Sequence, residues 1–344
     1  MAGQGFVSYL QKRRPLVESW LRDHAWTSDE QARTAADLDC YLYAPLAHYH
    51  MGGGKRVRPI LALLGCEAVG GAPECALATG CAIELFQSAA LIHDDIADGG
   101  ELRRGEPCLH LAQGVGMAIN TGDAALVQVT DTILTDEHLD PAKQLAVLRL
   151  MVDMERRTLE GQALDLGWVR DNRWDLIAAD YLAMASLKTS YYSAATPLMA
   201  GAVCGGADAH TVDELGKLGK SAGLAFQIQD DLLNLVGDAA TQGKDFRSDI
   251  TEGKRTLVMV HALETLPPSD RAELARILNA GTTSKDELDH AVSMVYACGS
   301  IDYAQECARK LADDAKQTLA NLDIMKDARD LLASMTDFFV ERRS

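Results

Sequence analysis

Three carboxylates stand close together in the first half of the chain. Asp94, Asp95 and Asp98 follow an apolar run that ends at Ile92. On a helix, positions i and i+4 share a face, so Asp94 and Asp98 would point the same way, with Asp95 beside them. Carboxylates this close repel one another unless a cation lies between them. Such oxygen ligands suit Mg²⁺, which commonly shares its coordination with phosphates and water.

Two arginines, Arg103 and Arg104, follow this first cluster within a few residues. Guanidinium groups match the geometry of phosphate oxygens, so acid, metal and base together predict a clamp for a diphosphate. For this run alone, a solvated helix end with ordinary surface charge is the alternative.

The second half of the chain repeats the acidic pattern. In Ile228-Gln-Asp-Asp-Leu-Leu-Asn234, Asp230, Asp231 and Asn234 again occupy positions i, i+1 and i+4. Two such clusters, one in each half, predict facing helices that hold metal ions between them. The predicted metal ligands are Asp94, Asp98, Asp230, Asp231 and Asn234.

A basic, glycine-rich segment, Met51-Gly-Gly-Gly-Lys-Arg-Val-Arg-Pro59, precedes the first cluster. Three cations follow the glycines within four positions, and Pro59 suits the first turn of a helix. A helix N-terminus beside Lys55 and Arg58 is a ready anion site. The alternative is a basic turn that balances an acidic protein.

These segments, which run in order from Gly53 to Thr256, resemble those of the trans-type isoprenyl diphosphate synthases, most closely the geranylgeranyl and farnesyl diphosphate synthases. The resemblance implies an isoprenoid synthase fold, a homodimer and about three Mg²⁺ ions. It also implies that isopentenyl diphosphate is condensed with an allylic diphosphate to give a linear all-trans prenyl diphosphate.

The resemblance assigns roles to particular residues. Those expected to contact isopentenyl diphosphate are Lys55, Arg58, Gln87 and Arg104. Those expected to contact the allylic diphosphate are Arg103, Lys188, Lys244 and Lys254. Those expected beside the allylic cation are Thr189 and Gln227. The catalytic carboxylates are expected to be Asp94, Asp95, Asp98, Asp230 and Asp231.

Product length is expected to depend on the helix that precedes Asp94. Ala90 and Ala89 lie four and five residues before it and leave the wall open. Phe86 lies about 12 Å back, at 1.5 Å per residue, and is the predicted floor. We therefore expect a C20 product, with C25 or longer as the alternative.

One position departs from the family pattern: Asn234 stands where many members have Asp. An amide carbonyl can still bind metal or water, so this departure weakens one metal contact rather than the activity. Gln162 and Asp165, at i and i+3 on one helix, are expected to support the site rather than to contact the substrate.

The elements that must position these residues are helical. Apolar residues recur at spacings of three and four through nearly all of the 344 residues, 47% of which are hydrophobic, without an alternating run or a linker. This predicts one all-α domain over residues 1–344, a bundle of a dozen or so helices around a central cavity.

Charge and composition exclude several partners. The net charge of −17 argues against nucleic acid or an anionic membrane surface. The uncharged run from Thr189 to Ala207 is predicted to be a buried, Pro-kinked helix that lines the cavity rather than a membrane span. Lys188 beside it would cost free energy unless it met an anion. Eight cysteines without CxxC spacing indicate reduced thiols in a cytoplasmic protein.

Two other functions remain open from the sequence. A class I terpene cyclase shares Asp-rich clusters and the helical fold, but it needs no isopentenyl site, so Gly53–Pro59 and Arg104 favour elongation. A non-catalytic subunit of a heteromeric synthase could lose its aspartates, whereas this chain keeps both clusters.

Overall fold

Helices dominate the computed structural model, which describes residues 3–237 and 246–341. The α-helices are α1 (Gln4–Asp23), α2 (Ala35–Leu38), α3 (Ala44–Met51), α4 (Val57–Ala68), α5 (Leu77–Ala97), α6 (Leu109–Gln113), α7 (Val115–Leu134), α8 (Pro141–Arg170), α9 (Ala178–Ala185), α10 (Thr196–Gly205), α11 (Ala209–Val236), α12 (Ser248–Thr251), α13 (Leu257–Thr265), α14 (Pro268–Asn279), α15 (Lys285–Ala297), α16 (Ser300–Ala320) and α17 (Lys326–Glu341). The other helical segments are the π-helices Asp39–Tyr43 and Ser186–Ala195 and the 3₁₀-helix Pro73–Ala76. Counted over that described part, with contiguous segments joined, there are 15 helices, which confirms the predicted all-α bundle.

Helix boundaries follow local chemistry that the sequence contains. Asp140 caps α8, because its side chain accepts hydrogen bonds from the N–H groups of Ala142 and Lys143, and Pro141 occupies the first turn. Asp208 caps α11 in the same way through the N–H of Thr211. These two caps begin the long helices that form opposite walls of the site.

The core consists of two large apolar clusters that share α11. Leu218 of α11 belongs to the first cluster, with side chains from α1, α4, α5 and α10. Ile228 of the same helix belongs to the second, with side chains from α9 and α13 to α16. The assignment of residues 1–344 to one domain stays a prediction, and this shared helix supports it.

The π-helical segment Ser186–Ala195 joins α9 to α10 and carries Lys188 and Thr189. Two glycines let it lie directly between α8 and α11. A Cβ on Gly161 of α8 would fall 2.2 Å from the backbone nitrogen of Lys188. A Cβ on Gly223 of α11 would fall 2.9 Å from the Cα of Ser190. The predicted buried helix is therefore present, and its irregularity is a wide π turn, a feature frequent at functional sites.

A short hairpin, which the sequence did not predict, interrupts the helices. β1 (Leu102–Arg103) pairs antiparallel with β2 (Glu106–Pro107). The two residues between them, Arg104 and Gly105, have φ values of 55° and 87°. Positive φ at both central residues is what a two-residue type I′ hairpin turn requires. The hairpin thus turns Arg104 back towards α3 and α4, where its guanidinium lies beside Gly52 and Gly54.

One helix in the described ranges, Pro73–Ala97, is apolar and long enough to span a membrane, with a mean hydropathy of 1.6. The fold buries 72% of that window, and the helix ends in the first aspartate cluster. These properties are typical of a core helix.

α8 also carries an apolar stripe on its outer face. Leu145, Val152, Leu159 and Leu166 recur every seven residues and are all exposed. Exposed apolar residues on α7 accompany them: Val115, Ile119, Val127 and Leu134. Apolar surface of this extent marks an interaction face in many proteins.

Candidate active site

The two aspartate clusters lie on one cavity, between the C-terminal end of α5 and the last two turns of α11. It has a volume of about 330 Å³. The predicted residues that line it are Asp94, Lys188, Thr189, Gln227, Asp230, Asp231, Asn234 and Lys254. Asp98 faces an adjoining recess that it shares with Lys254, whose Nζ lies 3.6 Å from the Oδ2 of Asp98. The structure thus brings together residues that are far apart in the sequence. We refer to this space as the acidic cavity.

α8 supports the first cluster, as the sequence predicted for Gln162 and Asp165. The Nε2 of Gln162 donates a hydrogen bond of 2.9 Å to the Oδ1 of Asp94. The Nζ of Lys188 lies 2.5 Å from the Oδ2 of Asp165. Burial lowers the pKa of Lys188, but the charges of Asp165 and Asp94 raise it, and the net shift is upward. Lys188 is therefore a cation held at the wall of the cavity.

Asp231 is the most enclosed carboxylate of the second cluster. The hydroxyl of Tyr181 donates to it at 2.6 Å, and the Nε2 of Gln227 donates at 2.7 Å. Burial raises the pKa of Asp231, and the charge of Asp249 raises it further, although the two hydrogen bonds oppose the shift. Gln227 thus holds a carboxylate in this structure; its predicted position beside an allylic cation stays a prediction.

Asn234 organises the residues that follow α11. Its amide nitrogen donates to the hydroxyl of Ser248 at 3.1 Å, and its side-chain oxygen accepts the backbone N–H of Asp249 at 3.3 Å. The amide therefore positions α12 against the acidic cluster. Its predicted role as a metal ligand stays a prediction.

Asp249 is a site residue that the sequence analysis missed. It is buried, it lines the acidic cavity, and its Oδ1 lies 3.8 Å from the Nζ of Lys254. Burial raises its pKa, although Lys254 opposes the shift. It lies in a charged segment in which only Lys244 and Lys254 were predicted to contact the substrate, and nothing in the spacing distinguishes it from surface aspartates. The predicted contact Lys244 lies outside the described residues.

Asp95 and Arg103 form a pair away from the acidic cavity. Asp95 is 2% exposed, and the Nε of Arg103 donates to its Oδ1 at 2.9 Å. The hydroxyl of Tyr49 lies 3.4 Å from the other oxygen of Asp95. Arg103 was expected on the allylic diphosphate, yet it lines a different, outer cavity. In this structure the pair ties the hairpin to α5.

The residues predicted to contact isopentenyl diphosphate line a second cavity of about 220 Å³, which we call the basic cavity. They are Lys55, Arg58, Gln87 and Arg104. Arg58 donates to the Oε1 of Gln87 and to the Oγ of Ser193, both at 2.9 Å. Aromatic rings of Phe226, Phe338 and Phe339 complete the wall.

A buried ion pair that the sequence analysis missed shapes the basic cavity. Arg56 has a left-handed backbone, with a φ of 52°, and is 2% exposed. Its guanidinium donates to Glu84 of α5 at 2.7 Å and to the carbonyl of His50 at 2.6 Å. Arg56 and Glu84 therefore form a neutralised part of the cavity wall beside Lys55 and Arg58.

The acidic cavity fits a divalent cation that is shared with a substrate. Among the described residues, no three His, Cys, Asp or Glu side chains converge closely enough to hold a metal alone. Carboxylates nevertheless surround the space, and burial raises the pKa of Asp98, although the charge of Lys254 opposes the shift. Such hard oxygen donors suit Mg²⁺ when phosphate and water complete the coordination.

Comparison with known sequences agrees with this architecture. The polyprenyl synthetase family model matches residues 39–295. A short chain isoprenyl diphosphate synthase of Methanothermobacter thermautotrophicus is 38% identical over 324 residues, covering 94% of this chain and 97% of that protein. Geranylfarnesyl diphosphate synthase of Aeropyrum pernix is 32% identical, covering 86% and 92%. Geranylgeranyl pyrophosphate synthase of Geoglobus acetivorans is 34% identical, covering 88% and 91%.

Solved structures show the same fold. A geranylgeranyl pyrophosphate synthetase of Pyrococcus horikoshii superposes with a TM-score of 0.87 at 32% identity, covering 98% of both chains. A geranylgeranyl pyrophosphate synthase of Corynebacterium glutamicum, complexed with isoprenyl diphosphate and magnesium, gives a TM-score of 0.84 at 26% identity, covering 100% of both. The fold and the paired cavities define an isoprenoid synthase. This chain belongs to the polyprenyl synthetase family.

The buried carboxylates predict a stability cost that depends on pH. Because the pKa of Asp249 is raised in the folded state, folding loses stability as the pH rises above about 4, where an unfolded aspartate ionises. Without divalent metal, Asp249→Asn should therefore raise the melting temperature at about pH 8 by about 2 °C or more, and by less at about pH 5. Added Mg²⁺ should stabilise the wild type more than the variant.

The control for this experiment is Asp175→Asn. Asp175 is an exposed carboxylate whose pKa the hydrogen bond from Arg173 lowers, so its removal should give no gain. An equal gain at both pH values, or none at about pH 8, would contradict the interpretation of Asp249.

Proposed function

We propose that this chain condenses isopentenyl diphosphate with an allylic diphosphate and releases a linear all-trans prenyl diphosphate, chiefly geranylgeranyl diphosphate (C20). The observation that supports this most directly is the pair of neighbouring cavities. One offers carboxylates and lysines for a metal-bound diphosphate, and the other offers Lys55, Arg58 and Arg104 for a second diphosphate. Bringing two diphosphate esters together is the central requirement of chain elongation.

The residues of the acidic cavity and of the recess beside it would bind the allylic diphosphate and stabilise its departure. Asp94, Asp98 and Asp230 would hold Mg²⁺, about three ions in all, which supplies Lewis-acid stabilisation of the departing diphosphate. Lys188 and Lys254 add fixed positive charge at the same wall, where little reorganisation is needed as the C–O bond breaks. The diphosphate leaves with the electron pair of that bond.

The residues of the basic cavity hold the nucleophile. Lys55, Arg58 and Arg104, with Gln87, would fix the diphosphate of isopentenyl diphosphate so that its double bond faces the allylic carbon. That double bond attacks the cation and forms the new C–C bond, and a proton then passes to the released diphosphate. Thr189 and Gln227 place dipoles beside the cation.

The same cavities bear on the two rival functions. A cyclase acts on a single diphosphate and has no need of the basic cavity, which here is lined by Lys55, Arg58 and Arg104. A non-catalytic subunit has no need of the buried carboxylates, which cost stability in the absence of a cation. Both features favour a complete elongating enzyme.

Product length depends, in this proposal, on Phe86. The ring of Phe86 is buried and meets that of Tyr192 in a T-shaped contact, with centroids 5.9 Å apart. Ala90, half-buried, lies one helical turn nearer to Asp94. Ala89 packs in a separate cluster with Leu46 and Ala125. The proposed wall of the product cavity therefore consists of Phe86 and Ala90. A relative named for a C25 product makes geranylfarnesyl diphosphate the alternative.

We also propose that two copies associate through α7 and α8. The apolar stripe Leu145, Val152, Leu159 and Leu166 would be exposed in a monomer, at a spacing that suits packing against a like helix.

The proposed location is the cytoplasm. All eight cysteines are free thiols, which suits a reducing compartment, and the one long apolar helix of the described residues is mostly buried in the fold.

The first test is an incubation of the purified protein with Mg²⁺, isopentenyl diphosphate and farnesyl diphosphate, with the products dephosphorylated and identified by mass. We expect a linear C20 alcohol, which should disappear when a chelator removes the metal. Asp94→Ala should reduce the rate at least about 100-fold, because it removes charge stabilisation at the leaving group. A cyclic hydrocarbon would overturn the synthase proposal in favour of a cyclase.

Phe86→Ala tests the floor of the product cavity. Removing the ring should open space below Asp94 and shift the products to C25 or longer, measured by the same mass analysis. Leu85→Ala is the matched control, because Leu85 is equally buried on the same helix and its truncation carries a similar stability cost. Unchanged product length with Phe86→Ala would refute the floor assignment.

Val152→Glu tests the association. Because Val152 is 62% exposed in the single chain, the charge should leave the fold intact but disrupt an apolar interface. Light scattering should then give the mass of one chain, 37.2 kDa, instead of twice that mass. Tyr296→Glu, at an exposed aromatic residue of α15, should leave the dimer unchanged. A wild-type protein of 37.2 kDa would reject the proposal.

A further inference from the structure

Tyr192 stands where the two cavities meet. Its side chain lines the acidic cavity, while Ser193 beside it lines the basic cavity. Both belong to the π-helical segment that also carries Lys188 and Thr189. No role is assigned to Tyr192 by the sequence motifs or by the proposed chemistry, although it lines the acidic cavity and contacts Arg58 of the basic cavity.

The ring of Tyr192 holds Arg58. The guanidinium carbon of Arg58 lies 4.4 Å from the ring centroid, a distance at which a cation is attracted to an aromatic face. The other partners of Arg58 are the neutral groups of Gln87 and Ser193. Over residues 3–237 and 246–341, no carboxylate forms a salt bridge with it. Its orientation towards the basic cavity therefore depends on uncharged contacts, of which the ring is the largest.

The same ring holds Phe86. The two rings meet at 72°, and Phe86 is otherwise enclosed by the apolar core. A change in the Tyr192 ring would therefore alter the support of the proposed floor as well as that of Arg58. One side chain contacts both the group that binds the nucleophile and the group that limits product length.

We propose that Tyr192 is a positioning residue that couples affinity for isopentenyl diphosphate to product length. Through the cation–π contact it orients Arg58, and through the T-shaped contact it holds Phe86 in place. This inference rests on the proposed chain elongation and adds to it a specificity-determining residue outside the aspartate clusters.

Tyr192→Leu removes both ring contacts while keeping an apolar side chain. Loss of a cation–π contact should raise the KM for isopentenyl diphosphate between about 2-fold and about 30-fold. The KM for farnesyl diphosphate should change by less than about 2-fold, because the ring contacts Arg58 and Phe86 rather than the carboxylates and lysines proposed for the allylic diphosphate. The products should shift to C25 or longer. Tyr192→Phe keeps the ring and should restore most of the affinity and the C20 product.

Tyr191→Leu is the matched control. Tyr191 adjoins Tyr192 in the π-helix, and its ring holds Arg157 at the same distance of 4.4 Å, but it lines neither cavity. The variant therefore removes the same kind of contact and should change neither the KM for isopentenyl diphosphate nor the product length. If Tyr192→Leu fails to fold in a thermal melt, Tyr192→Met, which adapts to irregular space, replaces it.

The outcomes separate this inference from the proposed function. If the wild-type protein forms no linear prenyl product, the elongation proposal itself is wrong. If the wild type elongates, a joint change in KM and product length that is confined to Tyr192→Leu supports the coupling. A change in only one of the two, no change, or the same changes in Tyr191→Leu would overturn it.

Discussion

Repulsion among carboxylates that share one cavity is the constraint on which this structure depends. Asp94, Asp231 and Asp249 approach one cavity from three helices, and burial raises the pKa of the latter two. Lys188 and Lys254 reduce the repulsion without removing it. This chain, with a net charge of −17, thus gathers several mutually repelling carboxylates at one cavity. A bound metal cation together with an anionic substrate would balance the charges there.

The helices that carry these charges are in direct backbone contact at two glycines. Gly161 and Gly223 allow α8 and α11 to touch the π-helix from opposite sides, and a methyl group at either position would collide with it. The π turn in turn presents Lys188 to one cavity and Ser193 to the other. Two glycines therefore fix the position of the helical segment that lines both cavities.

Most of the helices and both acidic clusters were predictable, because helical periodicity and i, i+4 spacing are local properties of the sequence. The pairing of Arg103 with Asp95, and the burial of Asp249, were not, because each depends on which helix packs alongside. The hairpin that turns at Arg104 was missed for a related reason: two-residue strands leave no alternating pattern. Spacing identified the reactive groups, and packing decided which way they point.

The backbone conformation of Arg56 and Arg104 bears on which substitutions these two positions would tolerate. Both have a left-handed backbone, which costs a residue with a Cβ about 1–3 kcal/mol and a glycine almost nothing. At position 104, glycine would relieve this backbone cost and remove a guanidinium from the basic cavity. At position 56, glycine would also leave the buried carboxylate of Glu84 without its ion pair, so the exchange would destabilise the chain. Selection for heat resistance alone would therefore favour glycine only at position 104, where selection for turnover would oppose it.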